Sequence, residues 1–477
     1  MYPQKLFINN GWVDSISGKT LAVYNPADMS IVAEVPYADD KDTMLAIEAA
    51  EIAFPKWSAM LPKERSKILR KMHELMLAKK ENLAKILVIE QGKAISEARA
   101  EIDYSASFLE WFAEEGKRIY GDIVPAVKLG QKLFTFKQPV GIVGAITPWN
   151  FPVAMIIRKL ASALAAGCVM VLKPSEETPL SALAIADIAL EAGLPAGVLN
   201  IVFGDAIKIG RALTSADSVR MLTFTGSTRV GKLLMQDCAN TVKKVSLELG
   251  GNAPFIVFED ADVDKAVAGL VASKIRNGGQ SCICANRIYL HQKIQKEFVQ
   301  KLKLEFEKIK VGNGLDETVR LGPLINKQAV EKIEGLIKDS LAKGAEIIYQ
   351  ASIDGQKKQS DCFVAPQILV NTSLITEIEK TEIFGPVVSI FTFSDELEVI
   401  KRANATNYGL ASYVFTNDMQ RIWRVSEQLE YGMVAINDVA LSTEMTPFGG
   451  IKESGIGREG GRPGIHEYLE DKFVAIA

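Results

Sequence analysis

The sequence predicts an α/β protein of two or three domains with parallel sheets at its centre. Three observations point there. From residue 139 onward, short apolar runs alternate with helix-patterned stretches, as strands joined by crossover helices do. A second alternating block occupies about residues 252–432. The length of 477 residues suits two or three domains of roughly 100–200 residues each.

Taken in chain order, residues 40–120 read as helical. The stretch KERSKILRKMHELMLAKKENLAKILVIEQGKAISEARAEI puts Ile68, Leu69, Met72, Leu75 and Met76 on one face. Strand–helix pairs follow. GIVGAIT precedes a helix over 152–166, VMVLKP one over 179–192, VLNIVFG one from about Asp205, and MLTFTG one from Ser227. Ligands of such sheets sit beyond the carboxyl ends of the strands. In the second block, APFIVF, RIYLH, FVAPQILV, VVSIFTF and ASYVFT are the expected strands. A glycine-rich segment, FGGIKESGIGREGGRPG, leads to HEYLEDKFVAIA. Its apolar end reads as a strand without an evident partner nearby, suited to pairing with another subunit.

Composition narrows the function. At 48% hydrophobic and 24% charged, the chain is an ordinary globular protein with large cores. A formal charge of −3 and no long basic run give no footprint for nucleic acid. The five cysteines are Cys168, Cys238, Cys282, Cys284 and Cys362. They are few, odd in number and mostly isolated, which points to a reducing cytoplasm. The start, MYPQKLFINNGW, lacks the basic and apolar regions of a secretory signal. Residues 138–157, QPVGIVGAITPWNFPVAMII, are uncharged and long enough to span a bilayer. Pro148, Asn150 and Pro152 would leave backbone groups unpaired in lipid, so the stretch reads as a strand, a loop and a helix start, and no membrane partner is expected.

Several short stretches carry chemistry. GSTRVGK at 226–232 nearly fits a P-loop, but Leu233 stands where Mg²⁺ binding needs a hydroxyl. What remains is a glycine turn opening a helix, which suits either a pyrophosphate or a plain strand-to-helix connection. KPSEETP at 173–179 puts Lys173 and Glu176 at a strand's carboxyl end, where a carboxylate grips ribose hydroxyls and repels a 2′-phosphate. The same residues also read as a helix start capped by Ser175 and Thr178-Pro179. Asn150, in PWNFP, must find partners if buried, and its NH₂ could be one arm of an oxyanion hole or bond its own loop. VSLELGG places Glu248 in an apolar strand, either desolvated and fit for general base work or facing solvent. GGQSCICAN holds Cys282 and Cys284. Zinc needs two further ligands that no Cys–His cluster supplies, so no metal is expected. A cysteine protease needs a histidine base, and His73, His291 and His466 lie in no motif. A nucleophile on a tight turn fits, as does a packed thiol pair. A thiol is only a few per cent ionised at neutral pH and needs a base or positive surroundings.

PWNFP, KPSEETP, TFTGST, LELGG, GGQSC and EIFGP, in this order, resemble the NAD(P)-dependent aldehyde dehydrogenase superfamily over essentially the whole chain. SLELGGNAPFIVFEDADVDKAV, RNGGQSCICANRIYL and PFGGIKESGIGREG are similar to its succinate-semialdehyde dehydrogenases. The resemblance implies a Rossmann-like cofactor domain (1–120, 142–251 and 433–455), an α/β catalytic domain (252–432) and a small β oligomerisation flap (121–141 and 456–477). It implies Cys282 as nucleophile, Glu248 as general base, and Asn150 with the Cys282 N–H as oxyanion hole. It gives Trp149, Asn150, Lys173, Pro174, Ser175, Glu176, Gly226, Ser227, Leu249 and Glu382 to the dinucleotide. Glu176 implies NAD, with NADP still open through Lys173. Arg158, Arg276 and Ser442 would hold a distal carboxylate, bidentate for arginine. Cys284 would be a redox partner of Cys282, although residues i and i+2 of an extended chain lie about 6.6 Å apart, at the limit for a bridge. The expected protein is a cytoplasmic homodimer or homotetramer that oxidises succinate semialdehyde. Other readings are another small aldehyde, such as glutarate semialdehyde or a hydroxyaldehyde, and a non-catalytic thiol sensor.

Overall fold

The computed structural model describes residues 4–357, 359–372 and 375–477. Among these, the strands form an eight-stranded sheet, a seven-stranded sheet, a three-stranded sheet and a two-stranded hairpin. Five strands of the first sheet run parallel: Ile142–Ile146, Val169–Lys173, Leu199–Ile201, Val219–Thr225 and Lys244–Glu248. Counted one to five along the chain, their order in space is 5-4-1-2-3. The winding reverses between the first and fourth strands, which opens a crevice beyond their carboxyl ends. The strand Val169–Lys173 is buried throughout, as covering both faces of a parallel sheet demands.

The crossover helices Pro152–Ala166 and Pro179–Glu191 each begin with proline, whose missing N–H costs nothing in a first turn. Every residue of Pro152–Ala166 is buried, including Arg158 and Lys159, so this is a core helix and not a surface one. The expected helix over 40–120 is four: Asp40–Ala59, Pro62–Ala78, Lys80–Gln91 and Ile95–Glu115. Leu69, Met72, Leu75 and Met76 are buried as their spacing predicts, and Ile68 packs half-buried at the edge of the same core.

In the second sheet, Gln367–Val370, Val387–Phe393, Ala285–His291, Ala253–Val257, Ala411–Phe415 and Met433–Ile436 lie side by side and parallel. The stretch FVAPQILV becomes a strand only from Gln367, because Pro366 has no N–H to give the ladder.

Two expectations are corrected. Thr178 does not cap its helix through its side chain. The buried Glu90 carboxylate does that work, accepting from the N–H groups of Leu180 at 2.8 Å and Ser181 at 2.9 Å. The C-terminal strand, Leu469–Ile476, finds its partner within its own chain: it pairs antiparallel with Lys132–Pro139 along its whole length. It forms one edge of the three-stranded sheet. Residues 138–157 divide into a strand end, the strand Ile142–Ile146, a loop and a helix start. No helix among the described residues is long and apolar enough to cross a membrane.

Candidate active site

Glu248 ends the fifth parallel strand and is buried, with both carboxylate oxygens lacking a hydrogen-bond partner among the described residues. The solvent-facing alternative is therefore excluded. Burial raises its pKa well above the ordinary carboxylate value, and the neighbouring Glu459 carboxylate raises it further. Glu459 lies between two cations. Its Oε2 is 2.9 Å from Arg158 Nη2, and Lys159 Nζ donates to its Oε1. Burial pushes Glu459 up, but Lys159 and Arg158 outweigh it and hold it below the usual value. Glu459 thus keeps the negative charge of the pair and leaves Glu248 as the carboxyl that takes a proton.

The nucleophile candidate lies on a strained turn. Asn277, Gly278 and Gly279 are consecutive left-handed residues, with φ of 51°, 63° and 75°. Asparagine tolerates this region and glycine adopts it freely. A side chain at Gly279 would put a Cβ 2.3 Å from the Gly385 carbonyl, and one at Gly251 would lie 2.3 Å from the Cys282 carbonyl. Gly251 is thus packed hard against the Cys282 backbone, and Gly385 against the turn that precedes it. The thiol is pushed up to about 12 by burial first, then by Glu382 and Glu248, while Arg158 pulls it down. In the bare protein it rests as SH.

Asn150 is buried, and its Nδ2 donates to the Gln280 carbonyl at 3.0 Å, two residues before Cys282. The PWNFP loop and the cysteine loop therefore touch directly. Cys282 lines one pocket together with Tyr104, Phe151, Arg158, Arg276, Ser442 and Phe448. All three residues expected to hold a carboxylate converge there. They are not equivalent. Arg158 is buried, with its guanidinium 4.1 Å from the centre of the Phe448 ring, and its Nε finds no hydrogen-bond acceptor among the described residues. Arg276 is exposed at the mouth, 5.2 Å from the Phe151 ring. Ser442 hydrogen-bonds the Tyr104 hydroxyl.

Cys284 faces elsewhere. It lines a separate cavity of about 220 Å³ with Ser273, Arg276 and Tyr413. Cys284 N–H donates to the Ser281 carbonyl at 3.0 Å, so residues 281–284 form a turn and not the extended segment assumed for the bridge.

The dinucleotide candidates other than Glu382 lie at the carboxyl ends of the first sheet's strands. Lys173 is buried and ion-paired with Glu176. Pro174 and Ser175 are buried beside them, and Ser175 Oγ accepts from Glu177 N–H at 3.3 Å. Gly226 owes its identity to packing, since a Cβ would fall 2.4 Å from the Phe224 ring, and its N–H is bonded to the Glu248 carbonyl at 3.0 Å. Ser227 caps the helix Thr228–Ala239, accepting from Val230 N–H. Leu249 covers Gly231, where a Cβ would lie 2.4 Å from it. Glu382 accepts from Gly251 N–H at 3.1 Å, and burial pushes it up to about 7. Trp149 meets the Phe384 ring edge-on at 5.7 Å. Phe384 is itself left-handed, with a φ of 60°.

Sequence reasoning missed Glu459, Lys159, Tyr104 and Phe384. The EIFGP motif was the one available signal for Phe384; nothing local marks the others. Among the described residues, no group of three or more His, Cys, Asp or Glu is placed to hold a metal ion.

Comparison with known proteins agrees with this geometry. The model of the Aldehyde dehydrogenase family matches residues 12–474. The chain is 50% identical to a glutarate-semialdehyde dehydrogenase of Pseudomonas putida, covering 100% of this chain and 98% of the relative. It is also 50% identical to the succinate-semialdehyde dehydrogenase of Escherichia coli (strain K12) that carries NADP(+) in its name, again over 100% of this chain and 98% of the relative. A crystal structure described as an E. coli NADP dependent enzyme superposes with a TM-score of 0.98 at 50% identity, covering 100% of this chain and 98% of that one.

Proposed function

This chain belongs to the aldehyde dehydrogenase family, and from that premise we propose that it oxidises a small aldehyde carrying a carboxylate at its far end, succinate semialdehyde first, with Cys282 as nucleophile. The observation that carries the substrate reading is the meeting of Arg158, Arg276 and Ser442 in the Cys282 pocket. A carboxylate entering there meets the exposed Arg276 guanidinium, the buried Arg158 guanidinium and the Ser442 hydroxyl. Charge supports it too. One ionised Glu459 stands between Arg158 and Lys159, so the cluster keeps a net positive charge when Glu248 is protonated.

The residues present also fit a nicotinamide dinucleotide. Thr147 Oγ1 and Thr225 Oγ1 are buried at the strand ends without hydrogen-bond partners among the described residues. Lys173, Glu176 and Ser227 would hold the adenosine side, and Glu382, Trp149 and Leu249 the nicotinamide side. When bound, the dinucleotide supplies the hydride acceptor and positive charge near the thiol.

The chemistry of the chain's own residues follows. The Cys282 thiolate adds to the aldehyde carbon, giving a thiohemiacetal oxyanion. Asn150 Nδ2 and the Cys282 N–H donate to that oxygen, and one such donor is worth about 2.7–4 kcal/mol. Loss of hydride leaves a thioester on Cys282. Glu248, enclosed and proton-hungry, takes a proton from water, and the hydroxide cleaves the thioester to acid and free thiol. Glutarate semialdehyde is the second reading, favoured by the P. putida relative's name. One methylene is worth only about 1–3 kcal/mol of discrimination, so the pocket would take both.

The substrate reading has a direct test. Arg276→Ala is expected to raise KM for succinate semialdehyde about 10–100-fold, the worth of a charge-assisted contact, and to change KM for propionaldehyde little. Arg158→Ala should act in the same sense, but it also strips Glu459 of a partner, so Arg276 is the cleaner probe. An equal loss on both aldehydes rejects the carboxylate anchor.

Cofactor choice rests on Glu176. Glu176 at the carboxyl end of Val169–Lys173 would accept from ribose hydroxyls and repel a 2′-phosphate. The expected kcat/KM favours NAD over NADP by at least about tenfold, or about 1.4 kcal/mol. Parity, or a preference for the NADP(+) that the E. coli relative's name carries, means that Glu176 swings aside with Lys173. The proposed compartment is the cytoplasm, in keeping with five cysteines that are all free. The proposed oligomer is a dimer or tetramer. It would use residues 121–141 and 456–477, where Ile123, Val127, Leu129 and Phe473 are exposed.

A further inference from the structure

Lys93 lies two residues before the helix Ile95–Glu115 and is almost wholly buried. Its ammonium is ion-paired with the buried Glu101, donates to the Asn150 carbonyl at 2.9 Å and sits 4.2 Å from the centre of the Phe151 ring. Glu101 completes the grip. Its Oε1 accepts from Val153 N–H at 3.0 Å and Ala154 N–H at 3.1 Å, in the first turn of the helix that follows Asn150. Glu97, midway between them in sequence, accepts from Asn277 N–H at 2.9 Å. Asn277 in turn donates to the Asn150 carbonyl at 2.7 Å and to the Gln280 carbonyl at 3.2 Å. Glu97 and Glu101 are four apart on one face of the helix, and Lys93 precedes its first turn, so this end of the helix reaches both loops.

The energetics decide what this arrangement is for. A buried ion pair roughly breaks even against apolar residues of the same volume, so stability alone does not call for one here. What the pair supplies is direction. It fixes the Asn150 carbonyl and the helix start just after it, and Glu97 beside the pair holds the left-handed turn that leads to Cys282. Locally the Asn277 turn is closed by Gln280 N–H donating to the Asn277 carbonyl at 3.1 Å, and Glu97 ties it to the helix from outside.

We propose that Lys93, Glu97 and Glu101 are positioning residues, a clamp at the N-terminal end of the helix Ile95–Glu115 that sets the Asn150 amide and the Cys282 loop at working distance. The proposal rests on the roles given above to Asn150 and Cys282. A misplacement of about 1 Å at a reacting centre costs on the order of 10²-fold in rate. Loss of the clamp therefore falls on acyl formation, not on cofactor binding.

The test is a double-mutant cycle on the full chain, with NAD and succinate semialdehyde. The variants are Lys93→Met, Glu97→Ala and Asn150→Ala, with Lys93→Arg as the conservative control. Lys93→Met is expected to slow single-turnover formation of reduced dinucleotide about 10²-fold. NAD affinity should stay within about twofold, and Lys93→Arg should recover most of the rate, since a guanidinium can keep both bonds. In the Asn150→Ala background, neither Lys93→Met nor Glu97→Ala should cost much more, because the group they position is gone. Losses that multiply in that background, or that fall equally on NAD affinity, overturn the clamp; Glu97→Ala decides the matter if Lys93→Met does not fold. A wild-type protein that forms no reduced dinucleotide from any aldehyde overturns the parent reading instead, and the clamp with it.

Discussion

Cys282→Ala is expected to abolish aldehyde-dependent reduction of the dinucleotide, with kcat falling at least about 10⁴-fold, as removal of a covalent nucleophile does. The loss should be this large because nothing else in the pocket can replace the sulfur. Tyr104, Ser442 and Ser281 offer only hydroxyls there, which ionise far less readily than a thiol. Dinucleotide affinity should hardly change, since all the cofactor candidates but Glu382 follow strands of the first sheet. Cys284→Ala is the matched control: its thiol lines another cavity, and the variant should turn over normally. The wild-type rate of acyl formation should also rise with pH. A thiol pushed up to about 12 is almost all SH at neutral pH. Each step toward alkaline pH then increases the thiolate fraction until the bound cofactor's charge takes over that task.

Glu248→Gln carries the second large effect, and it separates the two halves of the reaction. Glutamine keeps the shape of the side chain and removes the proton acceptor. The first turnover should survive as a burst of about one reduced dinucleotide per active site, because hydride loss precedes the use of the base. Steady-state turnover should then fall about 10²–10⁴-fold, the usual worth of a general base. The pH profile gives a second reading. Burial and Glu459 raise the Glu248 pKa, so its basic form is lost as pH falls through that raised value. Wild-type thioester hydrolysis should decline on the acid side, and the variant should lose that limb. A variant with no burst and no turnover would move Glu248 from hydrolysis to thiol activation.

Much of this site was legible in the sequence because its motifs fall at one kind of place. PWNFP, KPSEETP, TFTGST and LELGG each follow an apolar run, and each run became a parallel strand whose carboxyl end faces the crevice. Periodicity finds strands, and topology then gathers their ends. The features that escaped were long-range or disguised. Glu459 meets Lys159 across 300 residues, and nothing near Glu459 marks it. Lys93 and Glu101 look like ordinary charges on an amphipathic helix, yet both are buried against the loop of Asn150. Arg158 beside Lys159 looks like a solvated pair, but a helix buried on every side leaves no solvated face. Thr178 has the composition of a cap, and Glu90 took the work because its carboxylate reaches two N–H groups at once. The partner of the last strand was invisible for the same reason, since Lys132–Pro139 lies more than 300 residues upstream of it.

The most direct test is to catch the acyl group on its sulfur. Glu248→Gln protein is mixed with NAD and succinate semialdehyde, quenched in acid within the burst, digested, and sequenced by tandem mass spectrometry across residues 276–287. The account predicts one succinyl group, labile to hydroxylamine and assigned to Cys282 alone. A succinyl group on Cys284, or a burst of reduced dinucleotide with no acyl group on any cysteine, contradicts it.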